Sequence, residues 1–463
     1  MSEQSPGKGS GQLAGGGRML AGWGRTAPTV ATTRRVADGA AEVAELVRRA
    51  GPRGLVARGL GRSYGDPAQN AGGEVLLPLP TRIEHEPDGR PGTVRVSAGT
   101  SLHDLMAELL PRGRFVPVTP GTRYVTVGGC VACDVHGKSH HVAGSFGRHV
   151  VSLELVLADG SVHEVGPDRD PELFWATVGG MGLTGVITSA VLRTIPVESS
   201  WMTVTTTRHP DLDSVMEEMR TGDRDVTYSV AWIDTLARGR SLGRSVLTRG
   251  EHARRDELDT SAAARPLVAP GGARLRVPPG VPGGLVRPLT VRGFNEAWFR
   301  RAPRHRTGEL QPLAAFFHPL DGVADWNRLY GPRGFVQYQC VVPDRAADTV
   351  ALVVDRVARQ GHASFLSVLK RFGPGDEAPL SFPMPGWTLA LDLPARAGLA
   401  PLLDELDRLV AAVGGRVYLA KDARLDPARL PQMYPRLADF RSVRRRVDPT
   451  GVFRSDLARR LGL

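Results

Sequence analysis

The chain has 463 residues, enough for two or three hydrophobic cores, so a multidomain enzyme is the default and a small disulfide-stapled module is excluded. No stretch of about 18 uninterrupted apolar residues is present to span a bilayer, and three cysteines, Cys130, Cys133 and Cys340, cannot build a disulfide framework. The formal charge of +11 suggests nucleic acid, but the arginines are scattered among acids and cluster only at Arg441 and Arg444 to Arg446, as a solvated helix face would; attraction to an anionic substrate or lipid headgroup is the better use of it.

Residues 1–18 are rich in Gly and Ser, lack the apolar centre of a secretory signal, and read as a flexible tail. The first domain is expected over 19–197. In it Asp38 can cap a helix carrying Val43, Leu46, Val47 and Ala50 on one stripe and stopped by Gly51. The strand Leu55 to Ala57 follows, and Ser101 caps a second helix with Leu102, Leu105, Met106 and Leu109 on one side. Val151 to Val165 predicts a hairpin turned at Asp159-Gly160, and Gly185 to Ile195 a further strand. Helices and strands alternate without the long series of parallel crossovers that a doubly wound sheet requires, which predicts an α+β fold. A second domain, 198–413, contains several strands and two clear helices, Ala346 to Arg359 and Leu399 to Ala412. Residues 249–288 are rich in Gly, Pro and Arg without periodicity and read as a mobile loop. The last segment, 414–463, brings a strand at Val417 to Ala420 and a basic helical end.

Four glycine-rich turns fall in the first domain: Gly59 to Gly65, Gly121-Thr122, Gly128-Gly129 and Gly179-Gly180. Glycine lets backbone amides approach a pyrophosphate closely. None of the four has the strand–G-x-G-x-x-G–helix context of a doubly wound dinucleotide site or the lysine of a P-loop, which points to a different dinucleotide fold. Cys130-x-x-Cys133 lacks the second ligand pair of a zinc site, so no metal is expected and small apolar packing is the reading for it. The composition adds one more pointer: the chain has four lysines, Lys8, Lys138, Lys370 and Lys421, against a large excess of arginine. A chain so biased keeps lysine where a compact, titratable ammonium is wanted.

These motifs carry a resemblance. Ala57 to Asp66 (ARGLGRSYGD), Pro120 to Arg123 (PGTR), Val125 to Gly129 (VTVGG) and Asp134 to Lys138 (DVHGK) resemble the FAD-binding (PCMH-type) domain of the vanillyl-alcohol-oxidase superfamily, which has two subdomains. With Gly144 to Gly147 (GSFG), Phe174 to Gly180 (FWATVGG), Phe335 to Gln339 (FVQYQ), Pro379 to Trp387 (PLSFPMPGW), Ala420 to Asp422 (AKD) and Asp456 to Arg460 (DLARR), the chain from about Leu20 onward is similar to the oxidase (flavoprotein) subunits of decaprenylphosphoryl-β-D-ribose 2'-epimerases. The resemblance implies FAD contacts at Ala57, Arg58, Gly59, Leu60, Gly61, Arg62, Ser63, Tyr64, Gly65, Asp66 and Pro67, and at Gly121, Thr126, Val127, Gly128 and Gly129. It also implies them at His136, Gly137, Lys138, Ser139, Ile187 and Tyr418. Many relatives attach FAD through a histidine in the first turn; Arg62-Ser63 stand there in this chain, so a non-covalent flavin is expected.

For the substrate, the resemblance implies Lys138, Trp232, Phe317, Gln337, Gln339, Lys370, Phe372, Thr388 and Ala390. Strand alternation agrees in part: Trp387, Leu389, Leu391 and Leu393 form an apolar face, while Thr388, Ala390 and Asp392 point the other way. Val336, Tyr338 and Cys340 likewise oppose Gln337 and Gln339. A helix-backed antiparallel sheet with amides and hydroxyls on its free face suits a sugar. Removing hydride from a carbinol carbon requires a base for the alcohol proton, and Lys421 is the first candidate, with Tyr64 and His136 as possible relays. Close relatives carry a reactive cysteine, attacked by nitroaromatic inhibitors, at the position of Ala390, so covalent inactivation is expected to be lost with turnover kept. Phe316 and Phe317 stand where a Tyr is expected.

The resemblance thus implies oxidation of the 2'-hydroxyl of decaprenylphosphoryl-β-D-ribose to a ketone, the first half of epimerisation to the arabinose form for cell-wall arabinan. A separate nicotinamide-dependent short-chain reductase would complete it. The family implies a periplasmic or cell-envelope location, and an amphiphilic substrate suggests peripheral membrane contact through Arg249 to Pro288. The competing readings are a soluble aldose, alditol or aldonolactone oxidase of the same superfamily, and a flavin-binding scaffold whose partner does the chemistry.

Overall fold

The computed structural model describes residues 17–463, and the expected tail at 1–16 lies outside the described residues. Gly17 and Arg18, assigned to the tail above, instead open the strand Gly17–Leu20, which pairs antiparallel with Thr29–Arg34. Two parallel neighbours, Glu74–Leu76 and Leu55–Ala57, complete a four-stranded sheet. A five-stranded antiparallel sheet follows in the order Ile83–His85, Thr93–Ser97, Val186–Arg193, Val150–Val156, Val162–Val165. The helix Gly39–Arg48 lies between the two sheets, its Val43 and Val47 sharing one core with Leu55 and Leu76 on one side and Val156 and Val186 on the other. The α+β architecture with a two-part first domain is therefore present.

Local chemistry sets the ends of these elements, in one case differently from expectation. Ser101 Oγ accepts from the Asp104 amide at 3.0 Å and caps the helix Leu102–Leu109. Asp38 stands at the start of Gly39–Arg48, but its carboxylate is turned to Arg82 at 2.8 Å. Glu42 caps instead, accepting from the Ala37 and Asp38 amides at 2.7 and 2.8 Å. Glu42 thus ties down the two residues before the helix, while the Asp38 carboxylate is drawn from the first-turn amides by its ion pair with Arg82.

The second sheet system has eight strands, all antiparallel to their neighbours: His305–Pro312, Trp201–His209, Ser245–His252, Tyr228–Ile233, Ser367–Phe372, Gly386–Pro394, Phe335–Pro343 and Arg416–Val417. The helices Leu212–Gly222, Asp348–Gln360 and Leu399–Ala412 cover one face. Toward them point Tyr338, Cys340, Trp387, Leu389, Leu391 and Leu393, all buried. Residues 249–288 contain the end of Ser245–His252, a short helix Thr260–Ala263, and a strand Leu275–Arg276 parallel to Val323–Ala324. Two helices of this half, Leu212–Gly222 and Pro288–Arg301, were not among those read from the sequence.

Beyond Val417 the chain turns rather than extending the expected strand, then forms the helices Leu437–Val447 and Asp456–Leu461 against the first domain. Phe453 bridges to Leu55 and closes the core beneath Gly39–Arg48. The basic cluster is internal glue: Arg444 donates to the carbonyls of Phe453 and Leu463, and Arg446 pairs with Glu172. Among the described residues no helix is long and apolar enough to cross a membrane.

Leu391 is fully buried between sheet and helices. Leu391→Ala is expected to cost about 2–5 kcal/mol, the sum of lost transfer energy and a cavity; a fall in the denaturation midpoint, followed by tryptophan fluorescence, checks it.

Candidate active site

The first glycine turn is held from both sides. Its Tyr64 amide donates to the Ala420 carbonyl at 3.1 Å, and Gly65 lies so close to the last segment that a Cβ there would stand 1.7 Å from the Asp422 carbonyl oxygen. Arg460 clamps the same junction, pairing with Asp66 and Asp422 at 2.8 Å each. Arg58 donates to the carbonyls of Ala68 and Ala21, and Arg62 lies over the Trp23 ring at 4.0 Å. Between these anchors the amides of Gly59, Leu60, Gly61, Arg62 and Ser63 donate to no protein acceptor among the described residues, and Gly61 adopts φ +66°. A run of free amides in a tight turn is an anion cradle.

A second set of free amides spans His136, Gly137, Lys138 and Ser139. Gly137 packs on Thr119, whose carbonyl would lie 2.5 Å from an added Cβ. The other glycine turns serve the fold. The Val127 and Gly128 amides donate to Thr100 and Ala98, and the Gly129 amide to Thr126 Oγ1 at 3.2 Å. Gly179 and Gly180 donate to Val131 and Thr177. These amides have acceptors within the protein, and Gly128 is glycine because Ala98 is only 2.8 Å from where its Cβ would be. Gly121 has open space around it, and Thr126 caps the helix Val127–Ala132.

His136 lies at the meeting point of the two domains. Its ring contacts Phe372, Tyr418 and Phe382, and its Nε2 receives the Gln339 Nε2 donor at 2.8 Å. That bond puts the ring proton on Nδ1, which is buried without a partner. Burial, reinforced by Lys370, His140 and Lys421, holds His136 well below the usual histidine range, so it is neutral. Tyr418 is fixed by its hydroxyl on the Cys133 carbonyl at 2.8 Å.

Sheet register gathers the polar residues on the face away from the helices. Gln337 is opposite Asp392, Gln339 opposite Ala390, Lys370 opposite Thr388 and Trp232 opposite Val368. Gln337 Nε2 donates to Asp392, and Gln339 bridges His136 and Thr388 Oγ1. Lys421 Nζ stands 3.9 Å from the Tyr64 ring centroid, and Lys138 Nζ donates to the Phe316 carbonyl above that ring. Burial lowers the Lys370 ammonium to about 8 with help from Lys421, and lowers Lys138 to about 7 with help from Lys370. Burial also lowers Lys421, against the opposing pull of Asp392. Asp392 is raised by burial, and its second oxygen has no partner. Burial likewise raises Tyr64 above the usual phenol range.

Two residues stand elsewhere. Phe317 is in an aromatic core with Phe115, Tyr228 and His252, and Phe316 is the ring that meets Lys138. Ile187 is buried in the five-stranded sheet beside a bulge. Ala390 offers a methyl between Thr388 and Asp392, while Cys340 faces the helices on the opposite side of the sheet. Cys130 is buried and Cys133 half-buried, both free, and no group of metal-ligating side chains occurs among the described residues. Asp392, placed by strand alternation on the face of Thr388 and Ala390, and Arg460, part of the DLARR motif, were given no site role from the sequence.

Free amides in two turns, an unpartnered imidazole N–H and three depressed lysines fit a dinucleotide that carries phosphates at one end and a redox ring at the other. The class defined by this cofactor domain and separate sheet domain is an FAD-binding oxidoreductase. Residues 35–166 match the FAD binding domain family, and residues 395–461 match the D-arabinono-1,4-lactone oxidase family. The chain is 46% identical over 453 residues to decaprenylphosphoryl-β-D-ribose oxidase of Mycolicibacterium smegmatis, covering 96% of this chain and 98% of that one. It is 27% identical over 427 residues to an alditol oxidase of Streptomyces, covering 91% and 94%. This chain belongs to the family of FAD-dependent oxidases that includes the mycolicibacterial enzyme, and its cofactor is FAD.

Gly65→Ala forces apart the first turn and the Lys421 segment. The variant is expected to purify largely without flavin, read from the ratio of absorbance at the flavin band to that of the protein.

Proposed function

We propose that this enzyme oxidises the 2'-hydroxyl of decaprenylphosphoryl-β-D-ribose to the ketone, the first half of conversion to the arabinose epimer. The observation that carries the proposal is the convergence of Lys138, Lys370 and Lys421, three of the chain's four lysines, with Asp392 and two glutamines on one face of the sheet. Identity to the mycolicibacterial oxidase along nearly the whole of both chains supports the choice of substrate.

FAD, when bound, supplies the acceptor for the hydride. The free amides of Gly59 to Ser63 and His136 to Ser139 would hold its phosphates and ring, with Tyr418 and the His136 N–H nearby. The Arg62-Ser63 pair in the first turn leaves no nucleophilic ring there, in keeping with non-covalent attachment. Lys421 Nζ takes the hydroxyl proton: burial lowers its affinity for protons enough to make the free amine available near neutral pH. Tyr64, beneath that ammonium, is kept protonated by burial and can pass the proton on. Gln337, Gln339 and Thr388 present amide and hydroxyl groups to the sugar, and Lys370 and Lys138 present positive charge to the phosphodiester. Trp232 and Phe372 flank this polar patch on the same face. A nicotinamide-dependent short-chain reductase would then return the ketone as the epimer, at the cell envelope. The 27% identity to alditol oxidase favours a second reading, oxidation of free sugar alcohols by oxygen, which would be marked by hydrogen peroxide production without lipid substrate.

With Lys421→Ala, anaerobic bleaching of the flavin by polyprenylphosphoryl ribose is expected to slow by about 10²–10⁴-fold with FAD retained; bleaching at the wild-type rate overturns the assignment. Asp392 raises the proton affinity of Lys421, so Asp392→Asn lowers it further and leaves more free amine at a given pH. The acidic limb of the pH profile for flavin reduction should move to lower pH, and a limb that stays put or moves up contradicts the pairing.

A further inference from the structure

Charge and exposed apolar side chains coincide in one stretch of the chain outside the residues assigned to the site. Against the reading that the arginines cluster only near Arg444, residues 261 to 306 hold nine arginines and a single acid, Glu296, so most of the chain's net charge of +11 lies in this stretch. Arg276, Arg300 and Arg306 have acidic partners; Arg265, Arg274, Arg287, Arg292, Arg301 and Arg304 form no ion pair among the described residues. Of the twelve large hydrophobic side chains exposed among the described residues, six fall here: Val268, Leu275, Leu285, Leu289, Phe294 and Trp298, with Leu289 81% and Leu275 68% exposed. Monomeric proteins rarely gather exposed apolar side chains in one region without a partner for them.

The surface is built on a rigid base. On the inner side of the helix Pro288–Arg301, Val291 is buried with Leu236 and Ala363, and Asn295 Nδ2 donates to Asp234 at 2.7 Å. Asp234 is itself held by Arg244 at 2.8 Å. The outer side leaves Leu289, Arg292, Ala297 and Arg301 in solvent. We propose that the helix Pro288–Arg301 and the loop before it dock on an anionic lipid bilayer, the leucines entering the headgroup boundary and the arginines pairing with lipid phosphates. Aliphatic side chains cannot stack on bases, so the exposed leucines and valine favour a bilayer over a nucleic acid.

A seam of rings leads from this surface to the site. Trp298 stacks on Phe294 at 6.2 Å, Phe294 meets Phe365 at 5.9 Å, and Phe365 meets Tyr330 at 5.7 Å. Tyr330 stacks on Phe335 at 4.1 Å, and Phe335 abuts Tyr64, the ring under Lys421, at 5.3 Å. The exposed outer rings of this seam, Phe294 and Trp298, give an apolar edge that suits the tail of a lipid substrate drawn from the bilayer, with Tyr330 and Phe335 buried behind them. That part of the inference rests on the proposed substrate, whereas the docking surface rests on charge and exposure alone.

The test is co-sedimentation of the FAD-loaded full chain with vesicles of phosphatidylcholine alone or mixed with phosphatidylglycerol. Binding is expected only to the anionic vesicles and should fall as salt is raised. The triple variant Leu289→Glu, Arg292→Glu, Arg301→Glu should bind at least roughly tenfold more weakly, with flavin absorbance and oxidation of a water-soluble short-chain prenylphosphoryl ribose unchanged. Arg292→Lys with Arg301→Lys should keep binding. Absence of wild-type binding to anionic vesicles, equal binding to neutral ones, or a triple variant that binds like wild type overturns the docking surface. Vesicle binding by an enzyme that cannot oxidise the short-chain substrate sinks the substrate reading and leaves the docking surface standing.

Discussion

The contact on which this structure depends is the seam between the first glycine turn and the segment around Lys421. The Tyr64 amide on the Ala420 carbonyl, the van der Waals closeness of Gly65 to Asp422, and Arg460 between Asp66 and Asp422 join two stretches that are far apart in sequence. A half-buried arginine between two buried carboxylates is costly to remove, because each acid left behind would lie partly desolvated without a counter-charge. The same joint that shapes the free-amide turn therefore sets the height of the lysine above Tyr64, so the proposed cofactor binding and proton transfer would share one mechanical origin.

The eight-stranded sheet adds the second constraint. Period-two alternation separates a helix-facing apolar layer from a polar layer, and antiparallel register then sets Gln337 against Asp392 and Gln339 against Ala390. A one-residue slip of Gly386–Pro394 would bury Thr388 and Asp392 among leucines and expose Trp387. Hydrophobic burial of Trp387, Leu389, Leu391 and Leu393 thus enforces the arrangement of the polar groups proposed to meet the substrate. Packing so many ammonium groups into a partly desolvated hollow raises the energy of the empty site and favours an anionic ligand that relieves it.

Much of this was legible from residue order alone, because strand alternation and glycine clusters are local signals. The strand Leu55–Ala57, the helix Leu399–Ala412 and the polar face holding Thr388 fall where the pattern put them. The purpose of a glycine was not legible, since it depends on what stands opposite: free space at Gly59 to Ser63, but Ala98 at Gly128. Asp38 fails as a cap for a similar reason, because Arg82, 44 residues on, draws its carboxylate away from the helix. The helix Pro288–Arg301 escaped detection because only Val291 and Asn295 turn fully inward, which leaves no apolar stripe to find. Phe317 is in the core beside Phe115 rather than against Lys138, a distinction between adjacent aromatics that no spacing rule makes.

The joint between Tyr64 and Ala420 has a consequence for biogenesis. During synthesis the amino-terminal sheets can form early, but the cradle acquires its outer wall only once the helix that carries Arg460 has been made. Coenzyme capture would therefore wait on the helix that carries Arg460, and a chain truncated before it is expected to hold its flavin less tightly.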